Sequence, residues 1–310
     1  MYHIIVNPVA GHGHGLVRLP FLARLFESGG VPYEVLQTTA PMDGYEKARN
    51  ICAAGSDGII GIGGDGTIQE IVAGMEAAFA GQACVIPVPL GIFPCGSGND
   101  FVLTVEGGKS ATVRKYDKRK DGQAAQAVFE AVINGRTRSV DIMKADGMAF
   151  LNIGNIGIDA RIVRNALGFK KRFGRYAYLA AAYKSIARHE NIPLTINMGD
   201  EVLEGSYTLA AVCNGQYYGG GMHIAPCARL DDGLITVCLA EAMSRLEAMA
   251  IFPLLLLKLH TYLRKVRFVQ CETLTVTMPR AETLCLDGNL YEKSGSITFE
   301  VLPKALRIFV

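Results

Sequence analysis

An alternation of short apolar runs and helix-like segments over the first hundred residues constrains the fold most strongly. Runs typical of buried strands occupy residues 2–7, 32–38, 57–63 and 83–94, and helical patterns occupy residues 16–30, 43–55 and 67–81. Continuously apolar strands that alternate with helices are typical of a parallel sheet with helices on both faces. The sequence therefore predicts an α/β domain, in which ligands bind at the carboxyl ends of the strands.

The pattern changes after a polar segment at 106–122, which we interpret as a loop. Short runs rich in β-branched and aromatic residues then dominate, interrupted by helical stretches at 172–189 and 242–260. Such runs predict a β-rich, mainly antiparallel domain. Because 310 residues exceed the usual size of one core, we predict two domains, residues 1–137 and 138–310.

Composition disfavours several classes of protein. A net charge of +2 gives no overall basic surface for nucleic acid, so we expect no nucleic-acid partner. The 8 cysteines form no CxxC pair, which favours reduced thiols over a disulfide or zinc framework. The most apolar run, residues 251–257, is too short to span a bilayer. The N-terminus lacks the flanks of a signal peptide, so we expect a soluble, cytoplasmic protein.

The turn GIGGDGT places one carboxylate, Asp65, among glycines between a predicted strand and a predicted helix. It satisfies GxGxxG, but it follows the third strand and no acidic residue ends the next one, which disfavours a Rossmann dinucleotide site. Backbone N–H groups at a helix N-terminus attract phosphate. A carboxylate fits there only where a cation lies between it and the phosphate, so the turn predicts a Mg²⁺–nucleotide site.

Two more glycine turns follow predicted strands. NPVAGHGHG begins with Asn7, a side-chain donor at the carboxyl end of the first strand. PCGSGNDF offers Ser97 and Asn99 as polar groups and Asp100 as the expected cap of the next helix. Because the carboxyl ends of neighbouring parallel strands meet at one edge of a sheet, the three turns are expected to converge on one cleft.

These turns carry a resemblance to a known family. NPVAG (7–11), GGDGTIQE (63–70) and GIFPCGSGNDF (91–101) resemble the signatures of the diacylglycerol kinase catalytic domain, shared with sphingosine, ceramide and bacterial lipid kinases. Later segments match in order: RSVDIM (138–143), FLNIGNIGIDARIV (150–163), CNGQYYGGGMHIAPCARLDDGLITV (213–237) and CLDGN (285–289). The resemblance implies a nucleotide-binding, phosphofructokinase-like first domain and a second domain that holds the lipid substrate.

The activity that the resemblance implies is transfer of the γ-phosphoryl group of ATP to a lipid hydroxyl, such as that of diacylglycerol, with Mg²⁺ as cofactor. Its partners would be ATP and a lipid alcohol. The protein would be cytoplasmic, with transient peripheral contact at the inner face of the membrane, and a homodimer stays open.

The resemblance also implies roles for individual residues. The nucleotide would be bound by Asn7, Gly11, Gly63, Gly64, Gly66, Thr67, Ser97 and Asn99. Asp65 would lie beside the nucleotide–Mg²⁺ assembly. Asp232 and the carbonyls of Arg229 and Leu234 would hold a structural Mg²⁺, to which Asp141 would be linked through water.

One position departs from the family's pattern. Where the family reads Asp-Gly-Glu, with the Glu as candidate general base, this chain has Asp287, Gly288 and Asn289. An amide has no useful basicity, so Asn289 can only orient a ligand through hydrogen bonds. Asp287 or Asp65 would then be the base, or the acceptor would differ, or the enzyme would be slow or inactive. Asp65, Asp287 and Asn289 are the candidate catalytic residues.

Two alternatives from other classes remain open. An NAD kinase would also use a GGDGT turn, but no suitably placed Asn-Glu pair is found for the nicotinamide nucleoside. A non-catalytic relative would bind Mg²⁺–ATP without turnover, which Asn289 makes credible. Separately, basic residues alternate with aromatic or apolar ones at 169–189 and 254–267. These stretches fit either a solvated helix face or a surface that meets anionic lipid headgroups.

Overall fold

The computed structural model describes residues 1–81, 85–108, 117–158, 160–162 and 183–310. Its first part alternates strands and helices: β1 (Tyr2–Val6), α1 (Ala10–Ser28), β2 (Tyr33–Gln37), α2 (Asp43–Ala54), β3 (Gly58–Gly63), α3 (Asp65–Ala78), β4 (Leu90–Pro94), α4 (Asp100–Val105) and α5 (Lys118–Ile133). The strands lie in the order β2-β1-β3-β4, and each pairs with its neighbours in parallel.

Alternate side chains of these strands face two separate helical layers. In β1, Ile4 and Val6 pack with Phe26 of α1 and Phe129 of α5. The side chain between them, Ile5, packs on the other face with residues of α2 and α3. The predicted α/β arrangement with helices on both faces is therefore confirmed for the first part of the chain.

The second part is dominated by strands, as predicted. They are β5 (Thr137–Ala145), β6 (Met148–Phe150), β7 (Ile153–Gly157), β8 (Ile192–Asn197), β9 (Val202–Cys213), β10 (Tyr217–Tyr218), β11 (Met222–His223), β12 (Ile235–Glu241), β13 (Val266–Cys271), β14 (Thr273–Leu286) and β15 (Asn289–Phe309). Helix α6 (Arg245–Leu256) and a 3₁₀ turn (His260–Tyr262) lie between β12 and β13. Pairs among these strands are antiparallel.

The two parts share one sheet, which the sequence did not predict. Its main path runs β13-β12-β9-β7-β14-β15-β4-β3-β1-β2. Strand β15 pairs antiparallel with β14 and β5, and near its end Ile308 pairs in parallel with Leu90 of β4. The parallel strands thus continue into antiparallel ones instead of forming a sheet of their own. Strand β5 spans the predicted boundary between residues 137 and 138.

Two predicted boundaries near the cleft differ from the structure for identifiable reasons. Strand β4 begins at Leu90, not at residue 83, because Pro87 and Pro89 lack the N–H that a central strand must donate. Helix α5 begins at Lys118, inside the segment predicted as a loop. The side chain of Asp117 caps it by accepting bonds from the N–H groups of Arg119 and Lys120.

The later helices are shorter than predicted or only partly described. Helix α6 begins after Ser244, which forms a capping box with Glu247. Of the stretch 172–189, residues 183–187 are helical and residues 172–182 lie outside the described residues. In the parts of the chain that the structure describes, no helix is long and apolar enough to cross a bilayer.

Candidate active site

The turns that follow β3 and β4 meet at the carboxyl edge of the sheet. A Cβ atom on Gly96 would lie 2.6 Å from Cα of Gly64, a separation that no side chain tolerates. The N–H of Cys95 donates to the carbonyl of Gly63 at 2.7 Å and fixes the two turns together. Only glycine permits this approach of one backbone to the other.

The turn after β1 packs against the same place. Gly11 adopts a left-handed φ of 58°, and a Cβ there would lie 2.1 Å from the carbonyl oxygen of Cys95. Asn7, at the end of β1, donates from Nδ2 to Oγ1 of Thr67 at 2.9 Å and accepts from the N–H of Val9. All three predicted glycine turns therefore converge, and they bring together the predicted residues Asn7, Gly11 and Thr67.

Asp65 is the first residue of α3 and is half-buried at this convergence. Its Oδ1 accepts from the N–H of Phe101 at 3.2 Å, and with Gly63, Gly64 and Asn99 it lines a small cavity. Burial raises the pKa of Asp65, while the N–H groups of Phe101 and Asn99 oppose the rise. This carboxylate sits where a helix N-terminus offers positive partial charge.

Asp287 is buried, with a left-handed φ of 47°. Its two oxygens accept from the N–H groups of Leu151, Asn152 and Ile153 at 2.7, 3.0 and 2.8 Å. Burial raises its pKa to about 7, and the negative charge of Asp65 adds to the rise. The two carboxylates are therefore electrostatically coupled, and Asp287 also organises the turn before β7.

Asn289 joins the two parts of the chain through Gln69, which was not among the predicted site residues. Nδ2 of Asn289 donates to Oε1 of Gln69 at 2.7 Å, and the buried Gln69 donates from Nε2 to the carbonyl of Ala149 at 2.8 Å. Oδ1 of Asn289 lies beside Gly66. The signal for Gln69 was present, since it is a polar residue inside the apolar run TIQEIV.

The turn after β4 holds itself in place. Asn99 is buried, accepts from the N–H of Gly96 at 2.7 Å and donates to its carbonyl at 3.0 Å. Ser97 is exposed at the tip of the turn. Asn99 therefore fixes the shape of the turn. The side chain of Ser97, in contrast, faces solvent.

The expectation that Asp100 caps α4 is wrong. Asp100 is the first residue of α4, and its carboxylate accepts from the N–H groups of Gly220 and Gly221 at 2.9 and 2.6 Å. These glycines belong to the second part of the chain. Asp100 does not cap α4, because its carboxylate is bonded to this remote loop. It instead ties the turn after β4 to Gly220 and Gly221 of the second part.

Of the predicted metal residues, Asp141 belongs to β5 and Asp232 to the loop before β12, to which Asp141 is bonded. Asp141 is buried and accepts from the N–H groups of Gly233 and Lys304 at 2.8 and 2.6 Å. Asp232 accepts from the N–H of Leu234 at 3.1 Å. Burial raises the pKa of Asp141, and the charges of Asp232 and Asp231 add to it. Within the described residues, no three His, Cys, Asp or Glu side chains are grouped to hold a metal.

A buried ion pair supports β4 from behind. Nε of Arg18 lies 2.9 Å from Oδ1 of Asp121, and both side chains are almost fully buried. A second nitrogen of Arg18 donates to the carbonyl of Pro94 at 2.7 Å, at the end of β4. This pair was not predicted, because Asp121 falls in the polar segment that we interpreted as a loop.

Comparisons with known proteins agree with this geometry. The model of the diacylglycerol kinase catalytic domain matches residues 1–145, and that of the YegS C-terminal NAD kinase beta sandwich-like domain matches residues 153–310. A diacylglycerol kinase of Mycobacterium tuberculosis is 27% identical, over 89% of this chain and 84% of its own length. One of Bacillus subtilis is 24% identical, over 92% of this chain and 88% of its own.

The fold is also found among solved structures. That of a diacylglycerol kinase from Bacillus anthracis has a TM-score of 0.70 and 20% identity, and the match covers 99% of this chain and 96% of that one. Two family models in succession, together with the converging turns, identify the chain as a member of the diacylglycerol kinase family, with a catalytic domain followed by a YegS-type C-terminal domain.

Proposed function

We propose that this protein is an ATP- and Mg²⁺-dependent lipid kinase that transfers the γ-phosphoryl group to the hydroxyl of a lipid alcohol such as diacylglycerol. Its family supports phosphotransferase chemistry on a lipid. The single observation that carries the proposal is the place of Asp65, at the N-terminus of α3 beneath converging glycine turns and electrostatically coupled to Asp287.

The residues around Asp65 fit a nucleotide's phosphates. The glycine turns present backbone that no side chain covers, and the first N–H groups of α3 point to the same place. Both features suit the binding of phosphate oxygens. We assign phosphate binding to Asn7, Gly11, Gly63, Gly64, Gly66, Thr67, Ser97 and Asn99. Mg²⁺–ATP, when bound, supplies the phosphoryl group and neutralises its charge. The raised pKa of Asp65 fits a carboxylate that gains stabilisation from a cation.

For the general base we favour Asp65 over Asp287. Both oxygens of Asp287 are engaged by three N–H groups of the 151–153 turn, so protonation of that carboxylate would weaken the turn. Asp65 accepts from the N–H of Phe101 on Oδ1, and the N–H groups of Asn99 and Asp100 also stabilise its charged form. Unlike Asp287, it is half-buried and lines the cavity between the turns. A raised pKa makes a carboxylate a stronger base toward the proton of a lipid hydroxyl. Asn289 orients Gln69 and the start of α3.

The same proposal includes a structural Mg²⁺ at the loop of Arg229 to Leu234, held by Asp232 and the carbonyls of those two residues. Negative charge accumulates there, which supports the site: Asp232 and Asp231 both raise the pKa of Asp141. Of these three carboxylates, only Asp231 pairs with cations among the described residues, Arg138 at 2.9 Å and Arg229 at 3.9 Å. The test is thermal unfolding with and without Mg²⁺. An ion-dependent rise in Tm that disappears in Asp232→Asn supports the site, and an equal rise in both proteins excludes it.

The test of the activity is transfer of label from γ-labelled ATP in mixed micelles. Acceptors would include diacylglycerol, monoacylglycerol, sphingoid bases, ceramide and a polyprenol, with NAD as a soluble acceptor. A labelled lipid that disappears in Asp65→Ala, but not in the exposed-surface control Asp200→Ala, supports the proposal. Labelled NAD would favour the NAD kinase alternative. Mg²⁺–ATP binding without a labelled product would identify a non-catalytic relative.

A further inference from the structure

Helix α6 has apolar side chains on two opposite faces. Ala248 and Phe252 are buried in the core of the second part of the chain. The outward face is also apolar and consists of Leu246, Met249, Pro253, Leu256 and Leu257. Their spacing of 3, 7, 10 and 11 residues from Leu246 places them on one stripe of the helix. Leu246 is 79% exposed and Leu257 is 66% exposed, so this stripe faces solvent.

The apolar surface continues into the turn after α6. Leu259 and Tyr262 are exposed, Tyr262 by 83%. The 3₁₀ turn is anchored from below by the buried His260, whose Nε2 bonds to the carbonyl of Ile224 at 2.9 Å. We call the outward surface the α6 face; its members are Leu246, Met249, Pro253, Leu256, Leu257, Leu259 and Tyr262. A contiguous exposed apolar surface of this kind marks an interaction site in a soluble protein.

Positive charge surrounds the α6 face. Residues 245–267 contain five basic residues and one acidic residue, Glu247, a net charge of +4 with histidine neutral. Lys265 neutralises Glu247 at 2.7 Å. Lys258 and Arg264 are exposed, and neither forms an ion pair within the described part of the chain. An apolar surface bordered by unpaired cations complements an anionic bilayer.

The α6 face is also connected to the candidate active site. Helix α6 packs on β11 (Met222–His223). Gly220 and Gly221 lie just before β11 and donate to Asp100 at the turn after β4. A single short segment therefore leads from the α6 face to the cleft.

We infer that the α6 face docks on an anionic lipid bilayer, with its apolar side chains among the acyl chains and with Lys258 and Arg264 at the headgroups. The inference rests on the proposed function, since a kinase of bilayer lipids must reach its substrate there. A second copy of the chain fits the face less well, because a two-fold interface would bring the same unpaired cations together.

Vesicle flotation tests this docking. The probes are vesicles of phosphatidylcholine with phosphatidylglycerol, compared with vesicles of phosphatidylcholine alone. Wild-type protein is expected to float with the anionic vesicles, and added salt should weaken binding. The double variant Leu257→Glu/Tyr262→Glu and the double variant Lys258→Glu/Arg264→Glu should each bind at least about tenfold more weakly. Ile133→Glu places the same charge on an exposed apolar site of α5 and should bind like wild type.

A second measurement separates failure of the docking from failure of the proposed function. Phosphoryl transfer to a short-chain lipid alcohol below its critical micelle concentration should be unchanged in both double variants. Vesicle binding that survives in the variants would overturn the docking, even if transfer is confirmed. So would a wild-type dimer, seen by sedimentation, that Leu257→Glu/Tyr262→Glu dissociates. Docking without transfer to any acceptor would instead overturn the proposed function alone.

Discussion

Asn289, the first residue of β15, and Gln69, in the second turn of α3, are joined by a hydrogen bond of 2.7 Å. Gln69 uses its other polar atom on the carbonyl of Ala149. The order of donors and acceptors is therefore fixed: Asn289 must donate to Gln69 so that Gln69 can donate to Ala149. This chain of amides begins at Asn289, the position where the sequence departs from the Asp-Gly-Glu that the resemblance led us to expect.

Replacing Asn289 with Asp keeps the shape of the side chain but removes its donor. An acceptor would then face Oε1 of Gln69, or Gln69 would turn its amide and present Oε1 to the carbonyl of Ala149. The first arrangement opposes two acceptors at a half-buried contact, and the second opposes two at a buried one. We expect Asn289→Asp to lower the free energy of unfolding by about 1–3 kcal/mol, measured by urea denaturation. Asn289→Ala, which removes the donor without adding charge, is the control. Equal stability of Asn289→Asp and wild type would contradict the assigned bond order.

Asp65→Asn should separate activity from stability. Loss of the carboxylate should reduce phosphoryl transfer by about 100-fold or more, the scale seen when a preorganised electrostatic group is removed. Because burial raises the pKa of Asp65, its ionised form opposes folding in the absence of ligand, and the neutral amide should leave Tm equal or higher. Transfer assays and thermal unfolding on the same preparation test both parts. A large fall in Tm would mean that Asp65 stabilises the fold.

The coupled carboxylates predict how stability depends on pH. A carboxyl group whose pKa is raised on folding binds more protons in the folded state, so its contribution to stability falls as pH rises from its ordinary pKa to its folded pKa. For Asp287, with a folded pKa of about 7, that window is about pH 4–7, and the loss is at most about 4 kcal/mol. Urea unfolding without Mg²⁺ or ATP, across this window, measures it.

Asp65→Asn is the control for that pH dependence. The substitution removes the raised pKa of Asp65 and also the negative charge that raises the pKa of Asp287. Both effects act in the same direction. The fall in stability with rising pH should therefore be smaller in the variant than in wild type. Identical slopes in the two proteins would show that the carboxylates are not coupled.

The contact between Gly64 and Gly96 predicts that neither position accepts a side chain. Gly96→Ala would place Cβ 2.6 Å from Cα of Gly64 and force the turns apart. We expect a loss of about 1–3 kcal/mol in unfolding free energy and weaker binding of ATP, measured by calorimetry. Gly122→Ala is the matched control, since its Cβ would make only an ordinary contact of 3.8 Å and lies in α5. The contact would be refuted by a Gly96→Ala protein that binds ATP like the control.

The ion pair behind β4 should tolerate joint replacement better than single replacement. Arg18→Met leaves the buried charge of Asp121 unpaired and should destabilise the protein by about 3–5 kcal/mol. Arg18→Met/Asp121→Leu should recover a large part of that loss, although the bond to the carbonyl of Pro94 stays lost. A double-mutant cycle in urea measures the difference. Additive losses would contradict a direct interaction between the two charges.

The sequence predicted the features that depend on local chemistry. The apolar strands, the glycine turns that end them and the residues Asn7, Asp65 and Asn99 follow from runs of neighbouring residues, and the structure brings them together. The start of β4 at Leu90 could also have been predicted, because Pro87 and Pro89 precede it in the sequence. Local sequence patterns were therefore sufficient to predict where the cleft lies.

What the sequence did not predict depends on contacts between distant segments. Asp100 looks like a cap beside its own helix, and only the fold reveals that Gly220 and Gly221 reach it. Asn289 and Gln69, which share a hydrogen bond, are 220 positions apart in the sequence. Arg18 and Asp121, which form the ion pair, are more than 100 positions apart. Periodicity and propensity contain no information on such partners.

The path of β15 has a consequence for how the protein is made. This strand begins at the cleft with Asn289, runs beside β14 and β5, and ends against β4, where Ile308 pairs with Leu90. A ribosome therefore releases β4 long before Ile308, which pairs with it, has been synthesised. The nascent chain must keep β4 unpaired on one side until residues near 308 emerge. Pairing of β4 on that side is therefore delayed until then, and a chaperone that shields exposed strand edges would act on the nascent chain in that interval.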